Sequence, residues 1–451
     1  MMAATGEQDN QKLNERFQSA VAQYDAGHLP EAAAQLESLL QDAPNSFEIH
    51  ELLGLVYAGE SKDTLANQHL RQAVQLKPDS SAARTNFATS LIHSGNLPGA
   101  EEQLKKAVLL EPQNYDANHN LGEVYVRLGK LPQAVPFLKR AQEIDASSYE
   151  NGYDLALAYL DTGHPDSARQ VVQKLLQAKN TAELHNLLAQ IEEKDGNYLA
   201  AVNEYELAAH QDPTESNLFD WGSELLLHQT LEPAIEVFRQ AAERFPNSAR
   251  LAIGLGIAYY SRGIYDEAVK SLLRAADLNP ADPRSYLFLS KAYDSSPGQA
   301  DDVIQRFRRF SELQPNNPRA AYYYAMSLWK GKRAQDSSLD IHQIESLLKK
   351  AALDPKLPEA HFQLGNLHSD QGHYAEAIPE YVKALEGNAN LPDAHYRLGQ
   401  AYVHTGAKEK AQAQFQIYQQ QRAQHLADLD KQRAEIRQFV YSEKDQAAAR
   451  Q

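Results

Sequence analysis

The chain has 451 residues, 23% of them charged and 43% hydrophobic, with a formal net charge of -16 and a pI near 5.5. So acidic a chain repels polyanions and speaks against nucleic acid as a ligand, while the apolar content is that of a folded protein. Cysteine is absent, which excludes disulfides, thiol nucleophiles and thiolate-bound metals, and no run reaches the roughly 18 to 20 apolar residues of a spanning helix, so no membrane insertion is expected.

Residues 1–12 show no apolar periodicity and read as a disordered start without the basic and apolar regions of a signal peptide. That fits a cytoplasmic protein, or a periplasmic or secreted one whose signal peptide has been removed. From residue 13 to 407 one cassette returns about every 34 residues. It reads Gly54, Tyr57, Ala66, Ala73, Pro78; then Gly122, Tyr125, Ala134, Ala141; then Gly256, Tyr259, Ala268, Ala275, Pro280. Aligned on these small residues, twelve units begin near Leu13, Phe47, Ser81, Tyr115, Tyr149, Ala182, Glu215, Ala249, Pro283, Pro318, Pro358 and Pro392.

Each unit carries two apolar-periodic stretches split by a turn such as Gly95-Asn96-Leu97-Pro98 or Gly163-His164-Pro165-Asp166, which predicts helix, turn, helix. Proline after the turn glycine suits a first helical position, and Pro44, Pro78, Pro112, Pro213, Pro246, Pro280, Pro315 and Pro355 stop the second helices. Gly54, Gly122, Gly222, Gly256, Gly365 and Gly399 on first helices, and Ala66, Ala134, Ala268 and their equivalents on second helices, are expected to let the helices cross closely.

Three places break the pattern. The ninth unit turns through Ser295-Ser296-Pro297-Gly298, and the tenth is stretched by an insertion around Gly331 to Asp340. The last second helix continues from 408 to 441 with a stripe of Phe415, Tyr418, Leu426, Leu429, Ile436 and Val440. That stripe predicts a C-terminal cap on the stack, with homo-oligomerisation through this helix as the alternative. Residues 442–451 read as a disordered tail.

The spacing of Leu-Gly-x2-Tyr, Ala-x3-Leu/Phe/Tyr and Pro resembles the tetratricopeptide repeat (TPR) family. The resemblance implies an all-α, right-handed superhelical solenoid of about twelve helix-turn-helix units. The family's Trp near the start of the motif is replaced by His50, Asn118, Leu218, Ala252, His361 and His395, a departure that leaves the period intact.

No nucleotide, hydrolase, zincin or kinase motif is present, so neither enzyme activity nor a cofactor is expected. None of the sixteen histidines lies three or four residues from another, the spacing of a helical ligand pair, so no metal site is assigned. The resemblance implies binding instead, of an extended peptide or a partner helix in a concave groove lined by first helices.

In units two to seven the groove positions hold Glu48, Glu51, Asp116, Glu123, Glu150, Asp154, Asp161, Glu183, Glu193 and Asp220 against only Arg127 and Lys194. In units eight to ten the sign reverses to Arg250, Arg284, Lys291, Arg319 and Lys330 with only Asp294 opposing, interleaved with Tyr260, Phe288, Tyr322, Tyr323 and Trp329. Asn86 and Asn120 sit where related proteins use an amide ladder to hold a peptide backbone, with Asp154 and Asp220 in their place further along. The partner groove is therefore assigned to Asn86, Asn120, Glu123, Asp154, Asp220, Arg250, Arg284, Lys291, Arg319, Tyr322, Tyr323 and Trp329. Because the family also accompanies polysaccharide machinery of cell envelopes, carbohydrate or a glycosyltransferase is the competing partner.

Overall fold

Most first helices begin just after a Ser, Asn, Thr or Asp whose side chain accepts a hydrogen bond from a backbone N–H two or three residues on. Ser46 accepts from Ile49, Ser80 from Ala83, Asn114 from Ala117, Ser148 from Asn151, Thr181 from Leu184, Ser248 from Leu251 and Asp282 from Arg284. Each cap contributes about 1 kcal/mol and fixes where its helix starts. The computed structural model describes residues 2–296, 298–332 and 340–424. Among the described residues the chain is all-α, a repeat solenoid in which consecutive helices pack as pairs and, within each of two units, each pair packs on the next.

First helices run Phe47–Gly59, Ser81–His93, Tyr115–Arg127, Tyr149–Asp161, Ala182–Lys194 and Glu215–Leu227, then Ala249–Arg262, Pro283–Ser295, Pro318–Lys332, Pro358–Asp370 and Pro392–His404. The contacts divide the chain into two units, one ending at Glu224 and one beginning at Leu225. At the N-terminus the structure differs from the expected disorder: helix runs Met2–Asp25. The alanines and long polar residues of this segment are good helix formers, and elongation from the packed turns further on costs far less than nucleation. At the other end helix covers 408–424. Leu426, Leu429, Ile436 and Val440, on which the cap and oligomer expectations rest, lie outside the described residues, as does most of the insertion between Gly331 and Asp340.

The pairing of helices inside a repeat depends on one close approach. A Cβ on Gly256 would lie 2.5 Å from Leu272 Cγ, and one on Gly122 2.5 Å from Leu138 Cδ2. Gly54 meets Leu70, Gly365 meets Tyr381 and Gly399 meets Phe415 in the same way, always sixteen residues along. The crossing alanines Ala66, Ala100, Ala134, Ala168, Ala201, Ala234, Ala268 and Ala377 are fully buried. Between the two helices, Gly95, Gly129, Gly163, Gly196, Gly263, Gly372 and Gly406 take positive φ. Ser61 and Gln229 hold that conformation at φ 58° without glycine, at a cost of about 1 kcal/mol each.

The missing Trp is replaced by a polar bridge from the first helix to the second. His185 Nδ1 meets Glu204 Oε2 at 2.6 Å, His361 Nδ1 meets Glu380 Oε2 at 2.6 Å, and His395 Nδ1 meets Gln414 Oε1 at 2.6 Å. Arg84 donates to Gln103 at 2.8 Å, and the His50 and His69 rings share a 3.0 Å contact. Every one of these pairs is nineteen residues apart. In the sixth repeat the tyrosine position is taken by buried Glu192, which binds Arg169 Nε at 2.6 Å while that guanidinium also reaches Asp166 and Asp195. A carboxylate is tolerated there because its charge is met by a planar, multidentate donor.

Filling the close approach should break it. Gly256→Val is expected to destabilise the fold by roughly 1–3 kcal/mol through overpacking, measured as a lower denaturation midpoint, with part of the loss recovered in the Gly256→Val/Leu272→Ala double variant.

Candidate functional site

In the first unit the first helices of the first six repeats touch in succession and their outward side chains form a continuous face; in the second unit those of the eighth to tenth repeats touch, as do those of the eleventh and twelfth. In the first unit, Asn86 Nδ2 donates to Glu51 Oε1 at 3.1 Å and Asn120 Nδ2 donates to Thr89 Oγ1 at 3.1 Å. Asn186 Nδ2 donates to Asp220 Oδ2 at 3.0 Å. These bonds each cross from one repeat to its neighbour and form a ladder of polar rungs. For Asn86 and Asn120 a single N–H is used, which leaves the amide oxygen and the second N–H for a ligand. Asn186 escaped the sequence reading because it stands one residue nearer its helix start than Asn120 does in its own helix. Gln190, one turn on, donates to its oxygen at 2.6 Å.

The acids of this face are crowded: Glu48, Asp116, Glu150, Asp161 and Glu183 are exposed, whereas Glu51, Glu123 and Asp154 are half withdrawn from water. Burial lifts the Asp154 carboxyl above the usual aspartate range; His119 and Arg127 oppose the rise, and Glu123 and Glu150 add to it. Burial also lifts Glu51, against the Asn86 hydrogen bond that favours its charged form. Both cations of the face are already engaged, Arg127 with Glu123 at 2.5 Å and Lys194 with Asp161 at 3.9 Å. Glu48, Glu51, Asp116, Glu150, Asp154 and Glu183 have no ion-pair partner among the described residues. Tyr149 donates to Glu183 at 2.7 Å, and burial with that carboxylate pushes the phenol up to about 12.

The second unit does not present all its cations and rings as the sequence suggested. Arg284 folds back on Asp282, with Nη2–Oδ2 at 2.7 Å, and Lys330 pairs with Asp294. Arg250 is half-buried near the start of its helix. Tyr323 and Trp329, only 7% and 6% exposed, belong to the hydrophobic cores rather than standing free, because their helix positions face the neighbouring second helices. Tyr322 is half-buried, and desolvation holds its phenol well above the ordinary tyrosine range. Exposed Lys291 covers the Phe288 ring at 5.6 Å, and burial lifts the Tyr323 phenol against the opposing influence of nearby Arg319.

Tyr322, Tyr323, Trp329 and Lys330 nevertheless border one cavity of about 210 Å³, with Ser290, Asp294, Met326, Gln363, Asn366, Asp370 and Arg397. Asn366 Nδ2 donates to Gln363 Oε1 at 3.1 Å, and the Tyr381 hydroxyl donates to Asn366 Oδ1 at 2.9 Å. Lys291, Arg319 and Arg397 have no ion-pair partner among the described residues. Gln363, Asn366 and Arg397 were missed because the eleventh and twelfth units were not read for groove positions. The signal was there, since Gln363 and Arg397 are the sixth residues of their helices, as Asn86, Asn120 and Asp154 are of theirs.

Profiles of the tetratricopeptide repeat match residues 17–81, 85–149 and 219–283, a second such profile matches 129–191 and a TPR-repeat profile matches 365–406. Together they cover more than half of the chain, which belongs to the tetratricopeptide repeat family. No curated protein matches it.

Among solved structures, the chain is similar to the Cut9-Hcn1 hetero-tetramer of APC/C, at 14% identity over 89% of this chain and 92% of that one, with a TM-score of 0.39. It is also similar to YrrB, a TPR protein with an unusual peptide-binding site, at 20% identity over 41% of this chain and 96% of that one, with a TM-score of 0.35. A tetratricopeptide repeat protein from Parabacteroides merdae matches at 16% identity over 55% and 98% of the two chains, with a TM-score of 0.40. These likenesses concern the fold alone. No described helix is long and apolar enough to cross a membrane.

A carboxyl whose folded-state pKa is raised binds its proton more tightly in the native chain than in the unfolded one. Stability is then lost as pH rises through the range between the unfolded and folded values. Asp154→Asn removes that penalty. It is expected to raise the thermal midpoint at pH 7 and to leave it unchanged near pH 3, where the parent carboxyl is protonated in both states, as circular dichroism melts at the two pH values would show.

Proposed function

We propose that this protein is a non-catalytic interaction scaffold that binds extended polypeptide segments along its first-helix faces. The observation that carries this reading is a pair of half-buried acids on the first unit without an ion-pair partner among the described residues, Glu51 and Asp154, set among the exposed and likewise unpaired Glu48, Asp116, Glu150 and Glu183. Partly desolvated charge without a counter-ion is a standing cost to the fold, and a Lys- or Arg-rich segment would relieve it. The free groups of Asn86 and Asn120 would meet the backbone of such a segment, which gives affinity independent of its side chains. On the second unit, the cavity beside Tyr322 with Arg397 at its edge favours a segment bearing a carboxylate or an amide.

Sugar binding in the groove would call for aromatic rings free to stack. With Tyr323 and Trp329 packed in the core, the peptide reading is the better supported.

Fluorescence anisotropy with a dodecapeptide rich in Lys and Arg, against its Glu-substituted counterpart, tests the reading. The basic peptide should bind and weaken steeply with salt. Glu123→Gln/Glu150→Gln/Asp154→Asn should weaken it about tenfold or more, each lost charge contact contributing roughly 0.5–1 kcal/mol. Glu102→Gln/Glu111→Gln/Glu143→Gln removes the same charge from exposed positions elsewhere in the repeats and should leave binding nearly unchanged. Equal losses in the two triple variants would reduce the effect to net charge and overturn the reading.

A further inference from the structure

The eleventh repeat departs from the cassette at its tyrosine. Three residues after the crossing glycine stand Tyr57, Tyr125 and Tyr259 in the second, fourth and eighth repeats, but His368 follows Gly365. In the second and fourth repeats the tyrosine ring lies beneath the lysine that opens the next helix, Lys62 at 5.5 Å and Lys130 at 5.7 Å. Here the opening residue is His373, and the first turn of its helix adds Glu376. A ring and a cation are thus exchanged for two imidazoles and a carboxylate.

Their donor atoms converge. His368 Nδ1 is 3.7 Å and His373 Nδ1 is 4.0 Å from the same oxygen, Glu376 Oε2. One ligand atom from each residue lies within 4.8 Å of those of the other two. Both measured distances are too long for hydrogen bonds, so the cluster is not closed by its own contacts. A tetrahedral ion about 2.0–2.1 Å from each donor places neighbouring donors about 3.4 Å apart, so a contraction of the order of a rotamer adjustment would seat one.

The backbone fixes the arrangement. Gly372 turns the chain at φ 79°, the His373 N–H donates to the His368 carbonyl at 2.9 Å, and the Glu376 N–H donates to the His373 carbonyl at 3.1 Å. The His368 side chain, 12% exposed, is held in place, whereas His373 and Glu376 are exposed and can swing toward it. The pair of histidines is five residues apart across a turn, which is why a search for helical ligand spacing passes over it.

We propose that His368, His373 and Glu376 form a binding site for a zinc ion that clips the end of the helix Pro358–Asp370 to the start of Tyr374–Gly387, with water in the fourth position. Two imidazoles and one carboxylate suit a first-row transition metal and not magnesium or calcium, which take oxygen donors. The repeats supply an internal control. His28 likewise opens a helix with Glu31 in its first turn, but the residue five before it is Gln23, which meets the His28 ring at 2.9 Å.

The test uses the full chain without a histidine tag, stripped with chelator and titrated with zinc chloride by calorimetry, alongside His373→Ala, Glu376→Gln and His28→Ala. His373 makes no side-chain cap hydrogen bond, so its alanine variant should fold, which a circular dichroism melt checks. One equivalent of zinc is expected for the parent and for His28→Ala, at least tenfold weaker binding for His373→Ala and Glu376→Gln, and no heat with magnesium chloride. Absence of saturable zinc binding in the parent, or full affinity retained by His373→Ala, would overturn the proposal.

Discussion

Everything in this chain follows from the contact between a glycine on a first helix and the side chain sixteen residues later on the second. With no Cβ at Gly54, Gly122 or Gly256, a leucine from the facing helix lies against backbone, and the two helices of a repeat approach closely. Because that contact is repeated, first helices fall beside first helices within each unit. The first-helix face is a by-product of this steric rule, and it needs no residue of its own to create it.

Once the frame is fixed, the positions around it are free to change chemistry provided their own bonding is met. At the tryptophan position several repeats use histidine, arginine or asparagine, and His185, His361 and His395 each find a partner nineteen residues on. At the tyrosine position Glu192 survives burial because Arg169 meets it, and His368 looks across the turn to Glu376. The apolar repeat thus carries a layer of polar bridges that differ from copy to copy. Those differences are where the individuality of the protein resides.

The two units spend their surface charge differently. In the first, acids outnumber the cations available to them, and half-burial raises Glu51 and Asp154. In the second, Arg284 and Lys330 are answered by Asp282 and Asp294, so the exposed positive charge shrinks to residues such as Lys291, Arg319 and Arg397. A tally of charges from the sequence overstates the contrast between the faces, since pairing removes cations from one of them.

The sequence by itself determined the repeat, the all-α class and the crossing residues. Steric demands at Gly122 or Ala134 recur with the period and involve no partner but the next helix, so they are legible in one dimension. The tertiary structure alone decided which groove candidates remain available. Tyr323 and Trp329 read as an aromatic surface until neighbouring helices covered them, and Asn186 joined the ladder only when Asp220, 34 residues away, was brought within 3.0 Å. Burial and pairing are properties of contacts between repeats, and a contact between residues a whole repeat apart has no signature in either residue alone.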